Sequence, residues 1–184
     1  MSECKRYNLH KIFKTNKLPL KKDLICEANL LRNQMTFGCL AQYAKLVPQL
    51  KFLDEQLTDL QLNSLNIYLQ DSRPINNYLS TSQDEPGAIE TIISEIDSIF
   101  DQIPPLKNDL IVFRGLNIDF DEIVDQDGYV STTLFRPTAE MFGKTIIEIK
   151  LKKGSKIIPM HGLAEDSRPK EHEILLPRGS NYFS

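Results

Sequence analysis

No run of apolar residues approaches the length of a membrane span, and Met1 is not followed by an apolar signal-peptide core. Neither a spanning helix nor a conventional secretory leader is therefore expected. The sequence also lacks Gly-x-Gly-x-x-Gly and the phosphate-cradling P-loop, which argues against a conventional dinucleotide fold. Its three cysteines, Cys4, Cys26 and Cys39, are odd in number and match no zinc spacing, so they read as reduced thiols of a cytosolic chain. His10, His161 and His172 are scattered without a Cys or His partner at ligand spacing, and no metal is expected. Basic residues are not in excess either. The formal charge of -3 leaves no average basic surface for neutralising phosphates, which argues against a dedicated nucleic-acid binder, a local basic patch aside.

What is present fits one ordinary domain: 184 residues, 41% apolar and 26% charged, enough to bury a sizeable core. Lys5, Arg6, His10, Lys11, Lys14, Lys17, Lys21 and Lys22 crowd into the first stretch. Residues 1–22 are read as a solvated basic extension, with a docking arm for a partner or membrane surface as the alternative. Residues 23–184 form the domain proper.

The first half has helical periodicity. Leu24, Ala28, Leu31, Met35 and Leu40 predict a helix over Asp23 to Leu46, ended or kinked by Pro48. A second helix, capped by Thr58, runs to Leu69 with Leu60, Leu62, Leu65, Ile67 and Tyr68 as its buried stripe. After a break at Asp71 to Pro74, Ile75 to Leu79 make a short helical turn. A long helix then spans Gly87 to Phe100, with Ile89, Ile92, Ile93, Ile96 and Phe100 inward and Glu90, Glu95 and Asp97 outside. From Asp109 the character changes to short β-branched runs: Leu110 to Phe113, Tyr129 to Thr133, Thr145 to Leu151, Lys156 to Met160 and His172 to Leu176. Lys153-Gly154-Ser155 predicts a hairpin over 145–160, and Met160 to Lys170 reads as a surface loop. The fold class is α+β, helices preceding a mostly antiparallel sheet system.

Three short motifs carry chemistry. Glu171 and Glu173 flank His172; alternation along a strand puts both carboxylates on one face and His172 on the other with Ile174 and Leu176. Paired carboxylates suit acid/base work, although Glu-x-Glu is common on solvated edges. Arg114-Gly115 ends an apolar strand, where an arginine clamps a phosphate or carboxylate and a glycine lets the backbone approach a flat ligand; a surface ion pair before a turn is the plainer account. Ser131 and Thr133 share a face and present hydroxyls that orient a neighbouring carboxylate, or simply decorate a strand.

In this order, Arg114-Gly115, then Ser131-Thr132-Thr133, then Glu171-His172-Glu173 before Leu175-Leu176-Pro177-Arg178-Gly179, the sequence resembles the bacterial and viral mono-ADP-ribosyltransferases of the arginine, Ser-Thr-Ser, Glu-x-Glu type. Ala139 and Phe142 stand where that family has its phosphate-nicotinamide loop, and Tyr68 to Leu79, with Ile75-Asn76-Asn77-Tyr78-Leu79, resembles its Tyr- and Asn-containing helix. The likeness covers Thr58 to Phe183. Thr133 replaces the family's second serine and keeps the hydroxyl. The chain ends at Ser184, where family domains continue through another strand, so either a missing sheet edge or a fragment of a longer chain is expected.

The resemblance implies a split β-sandwich of ADP-ribosyltransferase type and NAD as substrate, with no metal. It implies Glu173 as the carboxylate stabilising the oxocarbenium-like ribose, Ser131 orienting it, and Arg114 on phosphate or ribose oxygens. It further implies the Gly115 backbone on the nicotinamide amide, Phe142 over the ring, and Thr132 and Asn76 in the NAD pocket. Glu171 implies an arginine acceptor on a target protein of unknown identity, met in the cytoplasm or after delivery into a host cell; a cationic guanidinium suits a carboxylate partner. Three alternatives stand beside this: an NAD glycohydrolase using water, a catalytically silent module that binds NAD or a partner, and a purely structural domain whose basic arm makes the contacts.

Overall fold

The computed structural model describes residues 42–81, 87–117, 127–160 and 172–179. The basic segment, the three cysteines, residues 161–170 and Glu171 lie outside the described residues, as does most of the first expected helix. Four helices come first among the described residues: α1 (Val47–Glu55), α2 (Asp59–Gln70), α3 (Arg73–Thr81) and α4 (Ala88–Gln102). Pro48 opens α1 rather than only ending the helix before it. First-turn amides have no intrahelical partner, so a residue without an N–H costs nothing there. In α2, Thr58 caps as expected: its hydroxyl accepts from the Gln61 N–H at 3.2 Å, and the Gln61 side chain accepts from the Thr58 N–H at 3.0 Å. The buried face of α2 differs from the expected stripe. Gln61, Ser64, Leu65 and Tyr68 are buried while Leu60 is half exposed. Helical phase outweighs hydrophobicity here, because Gln61 Nε2 satisfies itself on Ser98 Oγ of α4 at 2.8 Å.

Helix α4 matches its apolar repeat, with Ile93, Ile96, Ile99 and Phe100 buried, each side chain contributing roughly 1.5–3 kcal/mol. The strands follow: β1 (Leu110–Leu116), β2 (Val130–Thr133), β3 (Thr145–Leu151), β4 (Ile158–Pro159) and β5 (Glu173–Leu176), with a short α5 (Arg136–Ala139) after β2. Their order across the sheet is β3-β1-β2-β5-β4, every pairing antiparallel. The hairpin expected over 145–160 is overturned, since β3 and β4 sit on opposite edges. Gly154 does turn the chain (φ 96°). Its N–H, however, donates to Leu106 O at 2.9 Å, and Ser155 O accepts from Leu106 N at 2.8 Å, so the turn docks on the α4–β1 connection and the chain passes to the far edge. Arg114 and Gly115 lie inside β1 rather than at its end.

The sheet separates two cores. Leu110, Val112, Val130, Ile147, Ile149, Ile174 and Leu176 pack with Tyr43 and Leu46 on one side, while Leu175, Ile158 and Tyr129 join the inward faces of α2, α3 and α4 on the other. The alternation of Ile174, Leu175 and Leu176 between the two is the period-2 rule in operation.

One polar clamp ties the helical layer to the strands. Asp97, expected outside, is half-buried: it accepts the Tyr129 hydroxyl at 2.7 Å and Arg178 Nη2 at 2.7 Å. Tyr129 also donates to Ile93 O at 3.1 Å and stacks on Phe100. Burial, and next the Asp97 carboxylate, push its phenol far above the usual range, so it stays a donor. The clamp thereby fixes β2 and the segment after β5 against α4. Asp97→Ala is expected to lower stability by about 1–2 kcal/mol, read as a fall in Tm of about 2–8 °C in thermal denaturation.

Candidate active site

A cavity of about 460 Å³ opens where β1, β2 and the start of β5 meet the α2–α3 junction and the residues after α5. Arg114, Gly115, Ser131, Thr132, Phe142 and Glu173 all line it. Three motifs separated by tens of residues converge because β2 lies between β1 and β5, with Phe113 opposite Thr133 and Thr133 opposite Glu173. Ser131 faces Leu175 in register, which makes it the diagonal same-face neighbour of Glu173.

Gly115 has a steric duty beyond the one its sequence suggests. A Cβ there would fall 1.9 Å from the carbonyl oxygen of Ala139, and one at Gly143 would fall 2.1 Å from Leu116 O. Two glycines thus let β1 lie backbone to backbone against α5 and the residues after it. This contact brings Ala139 and Phe142 to the cavity, with Phe142 half exposed.

Arg114 is the electrostatic anomaly of the site. Its Nη1 is buried and has no hydrogen-bond partner among the described residues. Burial holds the guanidinium below its usual range, partly offset by Tyr68. A desolvated cation without a hydrogen bond on one amino group is a costly arrangement that an anionic ligand relieves.

Tyr68, which the sequence placed on a buried stripe and in the family-like helix without a role of its own, also lines the cavity. It is only 2% exposed, yet its hydroxyl meets Ser131 Oγ at 3.3 Å and accepts from Asn76 Nδ2 at 3.3 Å. Burial raises its phenol most; Ser131 and Asn76 pull it back, and the Glu173 charge raises it again. The group remains a neutral hydroxyl within electrostatic reach of both Arg114 and Glu173. Its signal in the sequence was a tyrosine on a buried stripe, since a buried phenol must find a partner.

Asn76 is absent from the cavity lining. It bridges instead, donating to Tyr68 and accepting from the Tyr129 N–H at 3.1 Å. Gly128 makes room for it, as a Cβ there would sit 2.6 Å from Asn76 Oδ1. Thr132 donates to Ile174 O at 2.8 Å and Thr133 Oγ1 accepts from Phe135 N at 3.2 Å, so these hydroxyls brace the strands. Asp71, Ser72 and Arg73, a mere break in the sequence, also line the cavity; Arg73 pairs with Asp71 through Nε and Nη2, each at 2.8 Å.

The strand containing Glu173 begins at that residue, not at His172. His172 has a left-handed backbone, φ 46°, which sets it apart from the extended run of β5 that starts at Glu173; Glu171 lies outside the described residues. Among the described residues no group of three His, Cys, Asp or Glu is placed to hold a metal, and no helix is long and apolar enough to cross a membrane.

Comparison with known proteins covers the same region. The family model for the ADP-ribosyltransferase exoenzyme matches residues 47–123 and 120–183. No curated protein sequence matches. Among solved structures, the Clostridium limosum C3 exoenzyme is similar over 79% of this chain and 84% of its own, at 21% identity and a TM-score of 0.61. Plx2a, an ADP-ribosyltransferase toxin from Paenibacillus larvae, aligns over 77% and 83% at 20% identity and 0.63. C3stau2 from S. aureus, solved with NAD, aligns over 76% and 84% at 18% identity and 0.64. At these identities the structural likeness establishes the fold.

Proposed function

Because the chain belongs to the ADP-ribosyltransferase exoenzyme family, an assignment that makes it an NAD-dependent ADP-ribosyltransferase, we propose that it transfers ADP-ribose to an arginine side chain of a target protein, with Glu173 as the catalytic carboxylate. The observation that carries the site assignment is the convergence of Arg114, Ser131 and Glu173 on one cavity.

The chemistry asks for such a set. NAD joins ribose to a cationic nicotinamide, so cleavage releases a neutral leaving group and leaves positive charge on the sugar. A carboxylate on the ribose 2-hydroxyl gains interaction energy as that charge develops, and this is the role of Glu173. Arg114, a half-buried cation with a buried, unbonded Nη1 among the described residues, takes a phosphate oxygen of the dinucleotide. Ser131, Tyr68 and Asn76 form one hydroxyl–amide chain that keeps the floor of the site rigid. The Gly115 backbone holds the nicotinamide amide, and Phe142 at the rim covers the ring. Glu171 draws the acceptor: a carboxylate suits a guanidinium and receives its proton as attack proceeds. The target is met in the cytosol, of this cell or of a host into which the protein is delivered.

Incubation with labelled NAD and a cell lysate tests the acceptor. Wild type is expected to label arginine, and Glu171→Gln to lose labelling while retaining nicotinamide release within about tenfold. Label on cysteine or asparagine, or undiminished labelling by Glu171→Gln, would overturn the arginine assignment and leave the fold untouched.

A further inference from the structure

The residue immediately before Glu173 is a buried histidine in a backbone conformation that L side chains disfavour. Among the described residues His172 alone, glycines aside, has positive φ, and glycine would adopt that conformation without steric penalty. A non-glycine residue persists there only when its surroundings over-determine it. The surroundings of His172 do so. Its ring lies edge-on between two aromatics, 4.4 Å from Phe135 and 5.5 Å from Tyr43 by ring centroids. Nδ1 is hydrogen-bonded to the Tyr43 hydroxyl, and the backbone carbonyl accepts from Leu134 N at 3.4 Å. The ring is therefore seated in the core on the side of Ile174 and Leu176, while the next side chain, Glu173, lines the cavity.

We infer that His172 is a positioning residue for catalysis: the aromatic socket of Tyr43 and Phe135 locks the left-handed turn at 172, and that turn fixes where the Glu173 carboxylate stands in the cavity. The inference rests on Glu173 being the catalytic carboxylate. Without the lock the backbone at 172 relaxes toward an extended conformation, which prolongs β5 and redirects its first side chain. A glycine would permit the turn without enforcing it. Histidine does both, because its ring is held by edge contacts with two aromatics and by one nitrogen. The residues that bind the rest of the dinucleotide, Arg114 and Gly115, belong to β1, on the other side of β2, and are not moved by 172.

The effect falls on kcat. A displaced carboxylate loses an interaction made in the transition state, whereas dinucleotide binding through β1 persists. His172→Gly is expected to lower kcat for nicotinamide release by about tenfold to a hundredfold, as a misplacement near 1 Å does, with KM for NAD within about twofold. Tyr43→Phe, which keeps the ring and removes the hydrogen bond, is expected to lower kcat by about threefold to tenfold. Placing His172→Gly on top of Glu173→Gln should cost nothing more, since the two act through one group. Wild-type kcat in His172→Gly, KM rising in step with the fall in kcat, or a further loss in the double variant would overturn the inference. Should His172→Gly fail to fold, Tyr43→Phe decides alone, an unchanged kcat counting against it. Glu173→Gln run in parallel separates the two levels: full activity there sinks the catalytic assignment itself, whereas an inactive Glu173→Gln beside a fully active His172→Gly sinks only the role of His172.

Discussion

Glu173→Gln is expected to lower kcat for nicotinamide release by about a hundredfold to a thousandfold, the loss typical of removing one electrostatic stabiliser of a developing charge, with KM for NAD within about twofold. The amide keeps the shape of the carboxylate and the half-buried packing at the start of β5, so thermal stability should hardly change. A second readout is independent of turnover. Because the Glu173 charge helps to raise the Tyr68 phenol, that tyrosine should titrate lower in Glu173→Gln, in a spectrophotometric titration of the folded protein. Activity within about fivefold of wild type would remove Glu173 from the catalytic role.

Arg114 supplies the other large effect, and it has two opposite signs. Arg114→Lys replaces a planar fork with a compact point charge on a shorter reach, and KM for NAD is expected to rise by about tenfold to a hundredfold, matching the roughly 1.5–3 kcal/mol of a charged hydrogen bond. Arg114→Met should abolish NAD binding in a calorimetric titration and yet stabilise the free protein by about 1–2 kcal/mol, a rise in Tm of about 2–8 °C. The sign follows from burial, which depresses the affinity of Arg114 for its proton. That base keeps its charge at every working pH, so the penalty of an incompletely bonded, half-buried cation is always present in the free protein and vanishes with the methionine. A fall in Tm for Arg114→Met would mean that the guanidinium is a structural partner instead of a ligand site. The same trade explains why a residue so poorly satisfied is kept: stability is surrendered where a ligand is to be bound.

Local chemistry is legible in the sequence wherever one residue decides one feature. Thr58 and Gln61 announce the start of α2 because each satisfies the other's backbone amide. The isoleucines of α4 set its buried face, and the β-branched run from Thr145 to Leu151 is a strand with those bounds. The order of Arg114, Ser131 and Glu173 along the chain carried the family. Pro48 marks the expected break and also opens the next helix, whereas Lys153-Gly154-Ser155 misled: it reads as a hairpin because nothing nearby reveals that Leu106 captures the turn.

Composition, periodicity and motif order by themselves determined that this is an α+β chain with helices first, and the family resemblance carried by motif order singled out Arg114, Ser131 and Glu173 as candidates for its chemistry. Only the tertiary structure decided that β2 lies between β1 and β5, that Tyr68 meets Ser131 and Asn76, that Asn76 joins Tyr68 to the Tyr129 backbone, and that Asp97 joins Tyr129 to Arg178. The physical reason is range. Helix caps, strand propensity and side-chain alternation act over a few neighbours, whereas strand order and the partner of a buried hydroxyl depend on groups tens of residues away, whose meeting is settled by how the two cores pack against one sheet.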